Sequence, residues 1–282
     1  MGLRIVTDST ADLDADEAAS LGIAVVPLTV FFGDEAFLDR VEIAPEAFYQ
    51  RLVSSKVFPR TSQPSPARFE ETYRKLAEEG ADQIVSIHIS SRLSGTLNAA
   101  RVAAGRAPSG CEVVAVDSMS VAGGLGTMAR RAAQVAADGG RAEAARRAAE
   151  AMIPRHRISI LLDTLEYLHK GGRIGRARAM LGGLLNVKPI VRLQDGEVGP
   201  GERVRSRIRG IERIYDSVVQ LDDLEEVIVQ HTGSEAEAEA LAARLRAALP
   251  NVPVDLRWIG PVVGAYVGPH GIGAVSVQRP AI

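Results

Sequence analysis

The chain has 282 residues, of which 46% are hydrophobic and 24% charged, and it carries a formal net charge of -2. Those proportions belong to folded globular proteins and exclude a disordered or fibrous chain, while the near-neutral charge gives no general attraction to nucleic acid or to an anionic membrane. A single cysteine, Cys111, excludes an intrachain disulfide and a cysteine zinc cluster, so a reducing cytoplasm is the expected compartment.

At the amino end, residues 3–7 lack the long apolar core of a signal peptide and read as a first strand. The Met1-Gly2 start lacks the Ser or Thr that N-myristoylation requires, because Val6 stands there. Further strands are expected at 23–32, 83–89 and 112–117. Helices are expected at 45–53, 67–79, 97–105 and 126–137, where apolar residues recur at helical spacing. Short strands alternating with helices are the pattern of βαβ units and a mainly parallel sheet. Ser65-Pro66 marks the start of the 67–79 helix and Gly80 its end.

An Ala- and Arg-rich helix at 141–152 carries Arg141, Arg146 and Arg147, a run that reads as a solvated face. Pro154 follows, and the domain boundary is set near residue 155, giving one α/β domain at 1–155 and a second at 156–282. The second begins with a strand at 158–162, a Gly-rich helical region at 164–185 and a strand at 187–193. A helix at 207–221, a strand at 226–231, a helix at 235–249 and strands at 254–258 and 274–278 complete it. No apolar run approaches the ~20 residues that cross a bilayer, so no stable membrane insertion is expected.

In an open parallel sheet, ligands bind beyond the carboxyl ends of the strands. The loops expected there are rich in hydroxyls: Asp8-Ser9-Thr10, Thr61-Ser62-Gln63-Pro64-Ser65, the run from Ser90 to Thr96, and Asp117-Ser118. Hydroxyls and helix N-terminal amides donate hydrogen bonds without carrying charge, which suits a carboxylate or phosphate. Any one such loop is equally what an N-cap or turn requires. The run with Gly95, where a backbone can approach a ligand closely, goes further.

Catalytic patterns are weaker. A Ser/His/Asp set can be drawn from Ser94, Asp117 and a histidine, but no Gly-x-Ser-x-Gly elbow exists, and His88 lies in an apolar strand that suits an interior histidine. Histidines and carboxylates show no metal-ligand spacing. There is no nucleotide phosphate loop; Gly124-Leu125-Gly126-Thr127-Met128-Ala129 mimics a dinucleotide fingerprint, and close helix packing accounts for it better. Arg173, in Gly171-Gly172-Arg173-Ile174-Gly175, can pair with an anion or with a surface carboxylate.

Several of these segments, in this order, resemble the DegV family, whose characterised members include the fatty-acid-binding subunits of bacterial fatty acid kinase. The resemblance rests on Thr7-Asp8-Ser9-Thr10-Ala11-Asp12-Leu13, Thr61-Ser62-Gln63-Pro64-Ser65 and Ser90-Ser91-Arg92-Leu93-Ser94-Gly95-Thr96. It extends through Asp117-Ser118, the stretch from Leu165 to Ile174, Lys188-Pro189-Ile190, and Ile259-Gly260-Pro261-Val262-Val263-Gly264. It implies two α/β domains, with a long-chain fatty acid held by its carboxylate at the domain boundary and its tail in a tunnel into the second domain. Matched position by position, Thr61 and Ser94 fall where the family hydrogen-bonds the carboxylate.

Asp8, Ser9 and Ser91 are candidates to order that site, and Ser62, Gly95, Thr96, Arg173 and Tyr266 to stand near the headgroup. The resemblance implies a carrier with no catalytic residue, metal or cofactor of its own, whose partner is an ATP-dependent kinase subunit that phosphorylates the bound acid. Tyr266 stands where the family often has a histidine, which bears on presentation to the kinase more than on binding; His270 nearby either restores an imidazole or is a loop residue. The rival readings are a hydrolase or phosphotransferase acting on a small anionic substrate at the same loops, and an adaptor whose lipid is structural.

Overall fold

The computed structural model describes residues 2–182 and 187–280. In chain order the elements are β1 (Gly2–Asp8), α1 (Ala15–Ser20), β2 (Ile23–Val26), β3 (Thr29–Phe32), β4 (Glu35–Leu38), α2 (Pro45–Ser54), β5 (Arg60–Ser62), α3 (Pro66–Glu78), β6 (Ala81–His88), α4 (Thr96–Ala104), β7 (Glu112–Asp117), α5 (Gly123–Ala137) and α6 (Ala142–Glu150). There follow β8 (His156–Leu161), α7 (Glu166–Lys170), β9 (Lys188–Gln194), β10 (Glu197–Val204), α8 (Arg207–Val219), β11 (Leu224–His231), α9 (Glu235–Ala248), β12 (Val254–Trp258), α10 (Pro261–Val267) and β13 (Ile272–Gln278). Single 3-10 turns lie at Ser9–Ala11, Ile153–Arg155 and Gly175–Met180.

The chain forms two compact units. One comprises Met1–Phe31, Ala36–Glu42 and Thr61–Pro154; the other comprises Phe32–Glu35, Ile43–Arg60 and Arg155–Ile282. In the first, the sheet order is β2-β1-β6-β7 and every pairing is parallel. Val6 and Ile84 pack with Phe69 and Tyr73 of α3 and Ala99, Ala100 and Ala103 of α4. The alternating residues Ile5, Val85 and Ile87 are buried as well, so the opposite face is covered too, and α5 and α6 pack on the sheet there. Burial on both faces explains why these strands are near-continuous apolar runs.

In the second unit the order is β10-β9-β8-β13-β11-β12, antiparallel except for the β11/β12 pair. Adjacent residues point to opposite faces. Leu161 and Ile190 join a core with α8 and α9, whereas Leu162 and Val191 join Leu165, Leu168, Ile174 and Met180, with Tyr266 against them. A separate three-stranded sheet has the order β4-β3-β5.

Several expectations change in detail. The strand expected at 23–32 is two, broken at Pro27, which has no N–H to give a ladder. The helical region expected at 164–185 is the single turn and a half of α7 and the 3-10 turn Gly175–Met180, interrupted by Gly171-Gly172; its residues 183–186 lie outside the described residues. Ser65 and Pro66 do open α3, yet the Ser65 side chain makes no capping bond. Arg146 and Arg147 pair with Glu143 and Glu150 along α6, as a solvated face does. Among the described residues no helix is long and apolar enough to cross a membrane.

Candidate functional site

The sheet order of the first unit locates its crevice. From β1 the chain moves to β2 on one side, and from β6 to β7 on the other, so the connections diverge between β1 and β6. That is where ligands enter parallel sheets. The residues at those carboxyl ends are Asp8-Ser9-Thr10 and the run from Ile89 to Thr96.

Asp8 is fully buried and joins the two loops. Its Oδ1 accepts from Thr10 N at 3.1 Å and from the Thr10 hydroxyl; its Oδ2 accepts from Ile89 N at 3.0 Å and lies 3.0 Å from His88 Nδ1. Ser9 is also buried, and its hydroxyl is committed within the unit, donating to Asp39 at 2.7 Å and accepting from Leu28 N at 3.1 Å. Ser90 N donates to Ser120 O at 2.8 Å, and Ser90 O accepts from Leu93 N and Ser94 N, which winds the loop into a turn. Ser91 is exposed, and its amide and hydroxyl both donate to Asp117.

Ser94 is half-buried at the start of α4, with its Oγ 2.8 Å from Thr96 Oγ1. Thr61 is half-buried on β5, and the exposed Ser62 bonds the Gln63 carbonyl at 3.2 Å. Gln63 then brings the two loops together. A Cβ added to Gly95 would lie 2.1 Å from Gln63 Oε1, so the amide rests directly on the glycine backbone, a contact any larger residue would displace. The connection after β7 supports the same crevice: Met119 and Ala122 both have positive φ, uncommon for residues with a Cβ, and Ala122 N bonds Thr10 O at 2.8 Å.

Sequence reasoning missed what lies beneath Asp8. Tyr73 Oη donates to Ser86 Oγ at 2.8 Å, Ser86 Oγ is 2.7 Å from His88 Nε2, and His88 Nδ1 meets Asp8. Burial pushes the Tyr73 hydroxyl up to about 12, with its Ser86 bond opposing, so it stays a donor. Ser86, His88 and Asp8 stand in triad order. All three are 0% exposed, however, so no substrate reaches Ser86, and the set gives no support to a hydrolase. The available signal was Ser86-x-His88 on a strand, a spacing that puts both side chains on one face.

Arg173 and Tyr266 belong to the second unit and meet there. The exposed Arg173 guanidinium lies 5.1 Å from the Tyr266 ring centroid, and its Nη1 donates to Gly171 O at 3.0 Å. The half-buried Tyr266 ring covers Gly171, where a Cβ would fall 2.4 Å from it; Tyr167 covers Gly268 in the same way. Tyr167 also stacks on Phe58 at 5.4 Å, and burial pushes its hydroxyl up. His270 is exposed, and its carbonyl accepts from Arg207 at 2.6 Å. Cys111 is buried, and burial followed by the Asp82 charge pushes its thiol up. Among the described residues no group of three or more His, Cys, Asp or Glu could hold a metal ion.

Residues 2–279 match the family model described as "Uncharacterised protein, DegV family". The chain belongs to the DegV family. A DegV domain-containing protein of Streptomyces coelicolor is 41% identical over 280 residues, covering 98% of this chain and 99% of the relative. A DegV family protein from Thermus thermophilus, solved as a fatty acid binding structure, is 34% identical with a TM-score of 0.89, covering 99% of this chain and 100% of that one. DegV of Bacillus subtilis, described as a fatty acid binding protein, is 29% identical with a TM-score of 0.90 at the same coverage. This DegV chain thus shares its α/β fold with them from end to end.

Proposed function

We propose that this DegV protein is a cytoplasmic carrier that binds one long-chain fatty acid by its carboxylate, with Thr61 and Ser94 as donors, and presents it to an ATP-dependent kinase subunit. The observation that carries the reading is the contact of Gln63 with Gly95, which sets the Thr61 loop against the Ser94 loop at the crevice of the parallel sheet. Two neutral hydroxyls suit a carboxylate, and the fatty acid binding described for the Thermus and Bacillus proteins supports the ligand class. Ser62, Ser91, Thr96 and Gly95 line or brace the same loops. On this reading the headgroup end belongs to loops of the first unit, within residues 1–155, and, from the family resemblance, the tail to 156–282. Presentation to a kinase, and roles for Arg173 and Tyr266 near the headgroup, extend the same resemblance.

Mass spectrometry of the purified protein tests the reading. Native spectra are expected to show one fatty acid per chain, recovered on denaturation. Extracts without lipid, together with no uptake of added palmitic acid, would remove it.

A further inference from the structure

We propose that His88 is a positioning residue for the ligand loops, holding the Ser9–Ala11 turn and the exit of β6 at a fixed spacing through Asp8. The inference rests on the fatty-acid reading for what the loops bind, but its geometry is independent of it. The Asp8 carboxylate is the shared acceptor of both loops: Oδ1 takes Thr10 N and the Thr10 hydroxyl, Oδ2 takes Ile89 N and His88. Ile89 is followed by Ser90, whose carbonyl accepts Ser94 N at 3.1 Å, so Ser94 hangs one turn from the pinned amide.

The chain of bonds has a direction. A carboxylate only accepts, which assigns a proton to His88 Nδ1; in the neutral ring Nε2 is then the acceptor. Nε2 then takes the Ser86 proton, and Ser86 takes the Tyr73 proton. Tyr73 is anchored in turn by α3, and Phe69 meets the imidazole edge-on at 4.9 Å. Every member is 0% exposed, so rotation away to water is closed to all of them. Satisfied buried networks of this kind rigidify what they connect. Among the charged and titratable side chains of this unit, Asp8 and Tyr73 are those the network brings to the imidazole.

Two conservative variants separate positioning from filling. The Asn side-chain amide reproduces Nδ1, so His88→Asn keeps the bond to Asp8; Gln reproduces Nε2, so His88→Gln keeps Ser86 and abandons Asp8. Radiolabelled palmitic acid is the probe, with urea denaturation run beside it. We expect His88→Gln and His88→Ala to weaken binding at least tenfold and His88→Asn to bind at least fivefold tighter than His88→Gln. Equal losses in Asn and Gln, or no loss in either, would overturn the proposal. Should the native protein take up no palmitic acid, the fatty-acid reading fails alone, and hydrogen exchange decides this one. Faster exchange at Thr10 and Ile89 in His88→Gln than in His88→Asn supports it, and equal exchange rejects it. If the variants do not fold, 15N spectra of the native ring decide: a neutral ring protonated on Nδ1 alone supports the directed chain, and a proton on Nε2, alone or with one on Nδ1, rejects it.

Discussion

Among the described residues the Ser94 hydroxyl bonds only Thr96, meeting its hydroxyl at 2.8 Å and accepting from its amide at 3.3 Å, local contacts that a ligand oxygen can join without dismantling the turn. Removing one donor to a charged group costs about 1.5–3 kcal/mol while the apolar tail stays buried. Ser94→Ala and Thr61→Ala are therefore expected to raise the Kd for a fatty acid roughly ten- to a hundredfold, at about 1.4 kcal/mol per decade. Titration calorimetry reads this directly, and unchanged affinity in both variants would move the headgroup elsewhere. Two histidines of the second unit make a different prediction. His156 and His231 are each lowered from 6.5 to about 4, both chiefly by burial, with Arg155 and Arg157 adding to the effect at His156. His231 Nδ1 has no hydrogen-bond partner among the described residues. The unfolded chain therefore binds more protons between these values, so this stability is complete above about pH 6.5 and is lost as pH falls toward 4. Urea midpoints measured across that window should fall with acid, and less so in His231→Phe; a flat profile would contradict the assignment.

At the scale of elements, two glycines with tight Cβ contacts respond to the same change to different degrees. Gly126 of α5 faces the Ala11 carbonyl, 2.5 Å from an added Cβ, and this backbone cannot step aside. Gly95 faces only the far end of the Gln63 side chain. Gly126→Ala should cost about 1–3 kcal/mol, as overpacking does, and Gly95→Ala under about 1 kcal/mol; urea denaturation of both variants checks the order. The same Gly126 explains why a nucleotide-like glycine pattern occurs where a helix lies on a turn. Elements were legible where they were long or buried on both faces, as β6 and α9 are. They were illegible where short: α1 has six residues and β4 and β5 have four and three, too few to display a period. Gly199, Pro200 and Gly201 disguised β10, whose ladder shifts register between Pro200 and Arg203. In the site, the hydroxyl loops stood out as motifs. The Gln63 contact with Gly95 and the Tyr73-Ser86-His88 chain did not, because each joins residues whose proximity only the fold creates.

For the whole molecule, the carrier reading separates from an enzyme by one assay. With magnesium, ATP and a fatty acid, the isolated chain is expected to form no acyl phosphate until a cognate kinase is added, since phosphoryl transfer needs charge-stabilising groups, which on the carrier reading a partner would supply. Acyl phosphate formed by the chain alone, and abolished in Ser94→Ala, would make it the enzyme. Tyr266→His belongs in the same experiment. The tyrosine ring lies over Gly171 beneath Arg173, and a gain in coupled turnover without a matching gain in lipid affinity would put this position in presentation.

The interleaving of the second unit carries a consequence for how the protein is made. Phe48, Tyr49 and Leu52 of α2 are buried in that unit, and the Tyr49 hydroxyl bonds the carbonyl of Ile259, 210 residues further along. Ribosomes add about 5–20 residues per second, so this apolar face waits roughly 10–40 s for its partner to emerge. Through that interval the first unit can close its parallel sheet around residues 61–154, while the α2 segment remains an open hydrophobic surface threaded between finished strands. The α2 face thus needs cover, of the kind a chaperone supplies, until the carboxyl-terminal strands emerge, and a chain stopped near residue 155 would leave the Tyr49 hydroxyl without its Ile259 acceptor.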